Sequence, residues 1–409
     1  MRRILALLVL AGFVAGCSDR PRLNPLDPAN AVTGGAPQGF AALADDGFVL
    51  LSWAPPPAGV ALGVRLFRAT GATAEPESLV DLPFGVTQYF DTGLANGTDY
   101  RYRLAYVLQN GALSGAVSDI ATPGTARPWV ADFSAGTLER VTPDGRRIAE
   151  TVGGRFETPV SLDVNADGRV WLCDLYGGRV WRVTPGLSTE EVGNHQLPVA
   201  VAIDRKRARA WVTDQGLNSL QGFDAMNPGA PDVFTHNLAR PIDVAVDPAD
   251  GSVWVCERTG DRVRHIGYAG EALGSAVMPQ PSRVAVDTVT RRIWVSSLTA
   301  RQVVAFTPSG VPVDTIAGLT GPVGIAIDSA AGSIWVADTD ADRVIVFDRS
   351  GHERFRVNNV YQPLEIAIDR ASGEAWVVQP SAGQVSRIAA NGQVLRQLRG
   401  FAQPYDIAL

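Results

Sequence analysis

Cysteine is scarce in this 409-residue chain: there are three, beside four histidines and three methionines. A fold braced by disulfides needs more thiols than that, so disulfides are not the main brace. No clustered Cys/His metal site, no Walker loop and no dinucleotide fingerprint is present. The cations are almost all arginine, with Lys206 the exception, which fits a GC-rich genome and bears on source rather than on function. Neither charge dominates, since 36 basic residues face 42 acidic ones for a net charge of −6. The charges are mixed along the chain, without the basic stripe that a phosphate backbone requires, so nucleic acid is excluded as a partner. The apolar run Ile4 to Val14 is too short to span a bilayer comfortably.

What is present begins with that run. Met1-Arg2-Arg3 precedes it as a charged leader, and together they read as an export signal. The signal ends in Val14-Ala15-Gly16-Cys17, which resembles the lipobox of bacterial lipoproteins. The resemblance implies cleavage after residue 16 and lipidation of Cys17, with acyl chains holding the mature protein on a membrane. Ser18 in place of Asp points to the outer membrane of the cell envelope, facing periplasm or exterior. Residues 17–36, rich in Pro, Asn, Asp and Gly, read as a tether.

Between residues 37 and 123 the segments "FVLLSW", "GVRLFRAT", "YRYRLAYVL" and "GAVSDIATP" read as strands of an antiparallel sandwich. Trp53, the run "YFDTGLANGTDYRYRL" and the closing "SDIATP" resemble a fibronectin type III domain, in which Tyr100 fits the tyrosine corner. Such domains serve as spacers or bind partners.

From residue 127 to 409 the chain repeats at a period of about 41 residues. Seven apolar strands are centred on Trp129, Trp171, Trp211, Trp254, Trp294, Trp335 and Trp376, and seven others open with prolines 159, 198, 241, 281, 322, 363 and 404. A missing N–H is tolerated best at a strand's first residue. Four short strands per copy leave both faces of each small sheet apolar, and radial stacking covers them. The array starts on a Trp strand and ends on a Pro strand, so Pro404 to Leu409 completes the first copy. The expectation is an all-β protein: an N-terminal sandwich, then a seven-bladed β-propeller closed by the C-terminal strand. Each Trp buries about 150–250 Å², an upper limit of about 4–6 kcal/mol apiece, and reads as core. Trp181 lies outside the series and is open to surface contact. Cys173 and Cys256 share one register with Ala131, Thr213, Ser296, Ala337 and Val378, which reads as a small buried position.

The unit at 321–351 resembles the NHL repeat, and the array resembles the NHL, SMP-30 and streptogramin-lyase group of propellers. Function varies across that group, so residues must decide. In SMP-30 lactonases, polar residues directly after the strand-opening proline hold a divalent metal. Here those positions are Val160, Val199, Ile242, Ser282, Val323, Leu364 and Tyr405, almost bare of ligand oxygens. The streptogramin-lyase resemblance implies a histidine general base, but His195, His236, His265 and His352 fall outside the Pro and Trp strands and read as surface residues.

Two residues after each proline stand Ser161, Ala200, Asp243, Arg283, Gly324, Glu365 and Asp406, which should converge on the channel mouth. Asp243 and Arg283 are expected to neutralise one another. Glu365 and Asp406, on neighbouring copies, leave two carboxylates that favour a shared cation, an amine-bearing ligand or a raised pKa. Asp132, Asp174, Asp214, Glu257 and Asp338 recur at the ends of Trp strands and are expected to accept N–H bonds in the following turn. No catalytic residue and no cofactor is expected, a divalent cation at the mouth being the one candidate. The expected function is a non-enzymatic, lipid-anchored envelope protein that presents its propeller as a platform for a protein or small-ligand partner. The alternatives are an extracytoplasmic metal-dependent hydrolase or lyase and a structural envelope component.

Overall fold

The computed structural model describes residues 26, 30, 35–55 and 59–409. The export signal, Cys17 and most of the tether lie outside the described residues. The chain divides into two compact units, one comprising residues up to Ala42 with Phe48–Ala121, the other Leu43–Gly47 with Thr122–Leu409.

Residues 41–121 form two antiparallel sheets. One has three strands in the order Ala41–Asp45, Phe48–Ser52, Gln88–Thr92, and the other four in the order Glu77–Pro83, Ala61–Thr70, Tyr100–Leu108, Leu113–Ala121. Alternate residues Val49, Leu51, Val64, Leu66, Tyr102 and Leu104 are fully buried, as expected of strands with one face on a core. The phenol of Tyr100 accepts the Ala95 N–H at 3.1 Å, and the Tyr102 hydroxyl donates to Asp91 at 2.7 Å. Three strands here went unread in the sequence: Ala41–Asp45, Glu77–Pro83 and Gln88–Thr92.

The second unit is seven four-stranded antiparallel sheets. In each, an inner strand pairs with a Trp strand, and two outer strands follow. In the second sheet the order is Pro159–Val164, Val170–Asp174, Arg179–Val183, Thr189–Val192. The first sheet draws its inner strand, Pro404–Ala408, from the far end of the sequence: Asp406 stands opposite Ala131, Ile407 opposite Val130 and Ala408 opposite Trp129. Successive inner strands pack on one another all the way round, the last also against Pro159–Val164, so the sheets close on themselves about a central channel.

The Trp side chains are buried in the clusters between sheets. Trp211, for instance, lies with Val244, Val253, Val255 and Ile266 of the following sheet. Trp181 is also core, edge-on to Phe156 at 5.8 Å, so the surface role left open for it is withdrawn. Cys173 and Cys256 are buried free thiols in central strands.

Immediately after the opening proline the pairing slips by one residue: Pro159 faces Asp174 while Ser161 faces Cys173, and the same slip follows Pro198, Pro241 and Pro404. Such a bulge re-aims the side chains beyond it. Here it turns the second residue after proline into the channel.

Candidate functional site

The channel end nearest the prolines is a cavity of about 140 Å³ whose lining includes Ser161, Ala200, Asp243, Arg283, Glu365 and Asp406. The residues singled out in the sequence therefore do converge. Gly324 completes the register: a Cβ there would stand 2.3 Å from the Leu364 carbonyl oxygen, so only glycine lets the sixth and seventh inner strands approach this closely.

Their pairing differs from expectation. The Arg283 guanidinium crosses to Glu365, Nε donating to Oε2 at 2.6 Å, instead of being neutralised by Asp243 alone. The reason is the inner strands' free edge, whose N–H groups need acceptors. Asp243 Oδ2 accepts the Val284 N–H at 2.7 Å, and Asp406 Oδ2 accepts the Leu162 N–H at 2.7 Å. The Ser161 hydroxyl receives the Val201 N–H in the same way at 3.3 Å. These side chains stitch three inner strands each to the next, leaving Glu365 to receive the arginine.

The protonation of this group follows from its enclosure. Asp406 is surrounded by protein within the narrow channel, which raises its pKa to about 8; the nearby Glu365 charge adds to the rise, and Arg283 and two backbone N–H bonds oppose it. Asp243 is raised to about 7, again by burial first and then by Glu365, against the pull of Arg283. Arg283 is held protonated: burial opposes its charge, and Glu365 and Asp243 overcome that penalty. In the unfolded chain both aspartates titrate near 3.9. Between about pH 4 and pH 8 the folded chain thus holds more protons than the unfolded one, and this contribution to stability declines as pH rises through that window. The melting temperature of the wild type relative to an Asp243→Asn/Asp406→Asn variant should fall between about pH 5 and pH 8.5. A constant offset across that range would contradict the assignment.

The acids at the Trp-strand ends serve a purpose the sequence did not reveal. Their main partners are the two N–H groups just before the inner-strand proline. Asp174 accepts from Glu157 and Thr158, Asp214 from Gln196 and Leu197, Asp338 from Thr320 and Gly321, and Asp132 from Ala402 and Gln403. Glu257 accepts from Ala239. The expected bond to the following turn is made as well by Asp132 to Ala135 and by Asp214 to Leu217. The residue after each acid donates its own N–H back to the carbonyl before the proline: Phe133 to Gln403, Leu175 to Thr158, Gln215 to Leu197, Arg258 to Arg240. This clip sets the rim of the mouth, where the Phe133 and Tyr405 rings lie 5.5 Å apart.

The expectation of four surface histidines is corrected for two of them. His265 stacks on Trp254 at 4.2 Å with its Nε2 2.9 Å from the Ser252 hydroxyl, and burial lowers its pKa. The His195 side chain is fully buried, its Nδ1 3.5 Å from Asp214. His236 and His352 are exposed. None of the four lines the mouth cavity. Among the described residues, no group of three or more His, Cys, Asp or Glu is placed to hold a metal ion. The mouth offers hydrogen-bond donors and acceptors of both charges.

With that geometry in hand, the class of fold is clear from its likeness to known structures: the chain carries a β-propeller. It is similar to virginiamycin B lyase from Staphylococcus aureus, at 17% identity and TM-score 0.52 over 59% of this chain and 84% of that one. It is likewise similar to a functionally unknown protein from Desulfotomaculum acetoxidans, at 12% identity and TM-score 0.60 over 69% and 98% of the two chains, and to hydrazine synthase of Kuenenia stuttgartiensis, at 14% and 0.56 over 65% and 92%. Such identities speak to fold alone. No protein-family model and no curated protein sequence matches the chain.

Proposed function

We propose that this chain is a lipid-anchored envelope protein, held at the membrane through Cys17 and carried clear of it by a fibronectin type III-like spacer. Its seven-bladed propeller binds a small amine-bearing ligand at the channel mouth. The carrying observation is the unbalanced charge there: Glu365, Asp406 and Asp243 surround one internal cation, Arg283. Two of the three carboxyls take up protons near neutrality, so an incoming ammonium group can replace those protons. An ammonium suits the site better than a divalent metal, because Arg283 already occupies one side of Glu365 and, among the described residues, no group of three or more acidic side chains is placed to hold a metal ion. The strand order of the first unit and the bonded Tyr100 hydroxyl support the spacer reading.

The test is calorimetric titration of the full chain in detergent with n-propylamine, and separately with Ca²⁺ and Mg²⁺. Saturable heat from the amine, lost in Glu365→Gln/Asp406→Asn, is the expected result. Equal, negligible heats from wild type and variant would end the idea, and saturation by the metals alone would turn the reading toward a metal-dependent hydrolase or lyase. That rival is compatible with the fold likeness only distantly. Its own check is turnover of a lactone substrate with added divalent metal, abolished by the same substitutions. A purely structural envelope role would show as recovery of neighbouring envelope proteins with no ligand response.

A further inference from the structure

The channel changes character along its length. Near the prolines, the second residue beyond each proline carries the charges of the mouth. Two residues further on, the inner strands carry Ala202, Ala245, Ala285, Ala326, Ala367 and Ala408, with Asp163 in the remaining one. These side chains line a second cavity, of about 550 Å³, at the opposite end of the channel. It shares Leu162, Val201, Val284 and Ile407 with the mouth cavity, so the two are halves of one passage. Next to the alanines, Val246, Val286, Ile327 and Ile368 face this space only half-buried. The volume lies within the range of about 300–1,000 Å³ typical of small-molecule sites, which are walled mainly by apolar side chains with a few fixed polar groups.

The charges at this end do not cancel. Both oxygens of Asp163 are taken: Oδ2 accepts the Ile203 N–H at 2.8 Å, and Oδ1 accepts the Val164 N–H at 2.7 Å and the Arg205 guanidinium at 3.0 Å. The buried Asp204 accepts the Lys206 and Arg207 N–H groups on Oδ1 and the Arg207 guanidinium on Oδ2. Arg205 is held further by the Val164 carbonyl and a Leu409 main-chain oxygen. Two cations of the lining are left over. The Lys206 ammonium and the Arg370 guanidinium are exposed and, among the described residues, make no hydrogen bond and no ion pair. They belong to the third and seventh sheets, as far apart as a ring of seven allows, so they flank the opening from both sides. An apolar well under a rim with unpaired cations and no unpaired acid is complementary to a molecule that is apolar along its length and anionic at one end.

We infer that the far end of the channel binds a fatty carboxylate, its alkyl chain in the well and its carboxylate at the rim, in the field of Lys206 and Arg370. The chain's far tip points toward Leu162, Val201, Val284 and Ile407, where the passage narrows into the mouth cavity of about 140 Å³. This site is independent of the amine-binding reading, which concerns the proline end.

The experiment is calorimetric titration of the full chain with hexanoate, octanoate and decanoate, and with octyltrimethylammonium as the cation of matching chain. The protein is held in phosphatidylcholine nanodiscs so that no detergent competes for the well, and empty nanodiscs serve as the reference. Saturable binding of one carboxylate per chain is expected, tightening about fourfold for each added methylene that the well takes up. Octyltrimethylammonium should bind more weakly than octanoate. Lys206→Gln/Arg370→Gln should weaken octanoate about fivefold, the upper end of what exposed ion pairs contribute, with the melting temperature unchanged because both side chains are exposed and unbonded. Affinity that does not rise with chain length overturns the inference. So does octyltrimethylammonium binding as tightly as octanoate with no effect of the double substitution, and so does heat no greater than that of empty nanodiscs. None of these outcomes touches the amine-binding reading, which n-propylamine tests at the other end of the channel.

Discussion

A chain truncated after Gln403 should lose its cooperative unfolding transition. The six residues removed form the inner strand of the first sheet, and without them the strand Trp129–Asp132 becomes an unpaired edge facing the channel. Ile407 leaves a cluster containing Val130, Val141, Trp376, Val378 and Phe401, a loss that in a packed core costs about 2–5 kcal/mol by itself. The Leu162 N–H loses its acceptor in Asp406, and the ladder bonds to Trp129–Asp132 go with the backbone. Together these approach the whole net stability of an ordinary domain, about 5–15 kcal/mol. Near-ultraviolet circular dichroism is a direct readout, because the Trp side chains report on packing between the sheets. Ile407→Ala should give an intermediate loss with cooperativity retained. A truncated protein melting within a few degrees of the full chain would mean that the sheets hold their ring without this closure.

The second large effect is expected at Asp338. Its side chain is fully buried, Oδ1 receiving the Thr320 and Gly321 N–H groups at 2.8 Å each and Oδ2 the Arg343 Nε at 2.8 Å. Asp338→Ala strands two backbone donors and a guanidinium, and breaking a buried charged pair from one side costs about 3–5 kcal/mol. Asp338→Asn keeps the Oδ1 acceptor and gives up the charge, so it should recover a large part of the loss. Chemical denaturation of the two variants separates the roles: an unchanged midpoint for Asp338→Ala would remove the clip from the account of stability, and equal loss in both variants would assign the effect to charge rather than to the loop donors.

The comparison of sequence with structure turns on which forces repeat. Trp strands and opening prolines were legible because one packing problem is solved seven times with the same residues, and the phase of those repeats placed Pro404–Ala408 beside Trp129–Asp132. In the first unit, Glu77–Pro83 stayed unread because it is an edge strand without a fully buried residue to betray its period. At the mouth, the register brought Asp243, Arg283, Glu365 and Asp406 together, but the partner of Arg283 depended on a long side chain reaching past its nearest acid. The bulge after proline left no mark in the composition. The clip was hidden because each acid meets donors some 17 residues earlier in the chain, or, for Asp132, about 270 later.

The two buried thiols have a use of their own. Cys173 and Cys256 sit in the Trp strands of the second and fourth sheets, and burial holds both thiols well above their usual pKa, so the folded chain presents no thiolate to a reagent. Their labelling rate therefore counts the excursions in which a sheet parts from its neighbour, one reporter on each of two non-adjacent sheets. Equal rates would mean that the ring opens as a single unit, and unequal rates that it breathes at a seam, a distinction the wild-type chain can supply without any engineered probe.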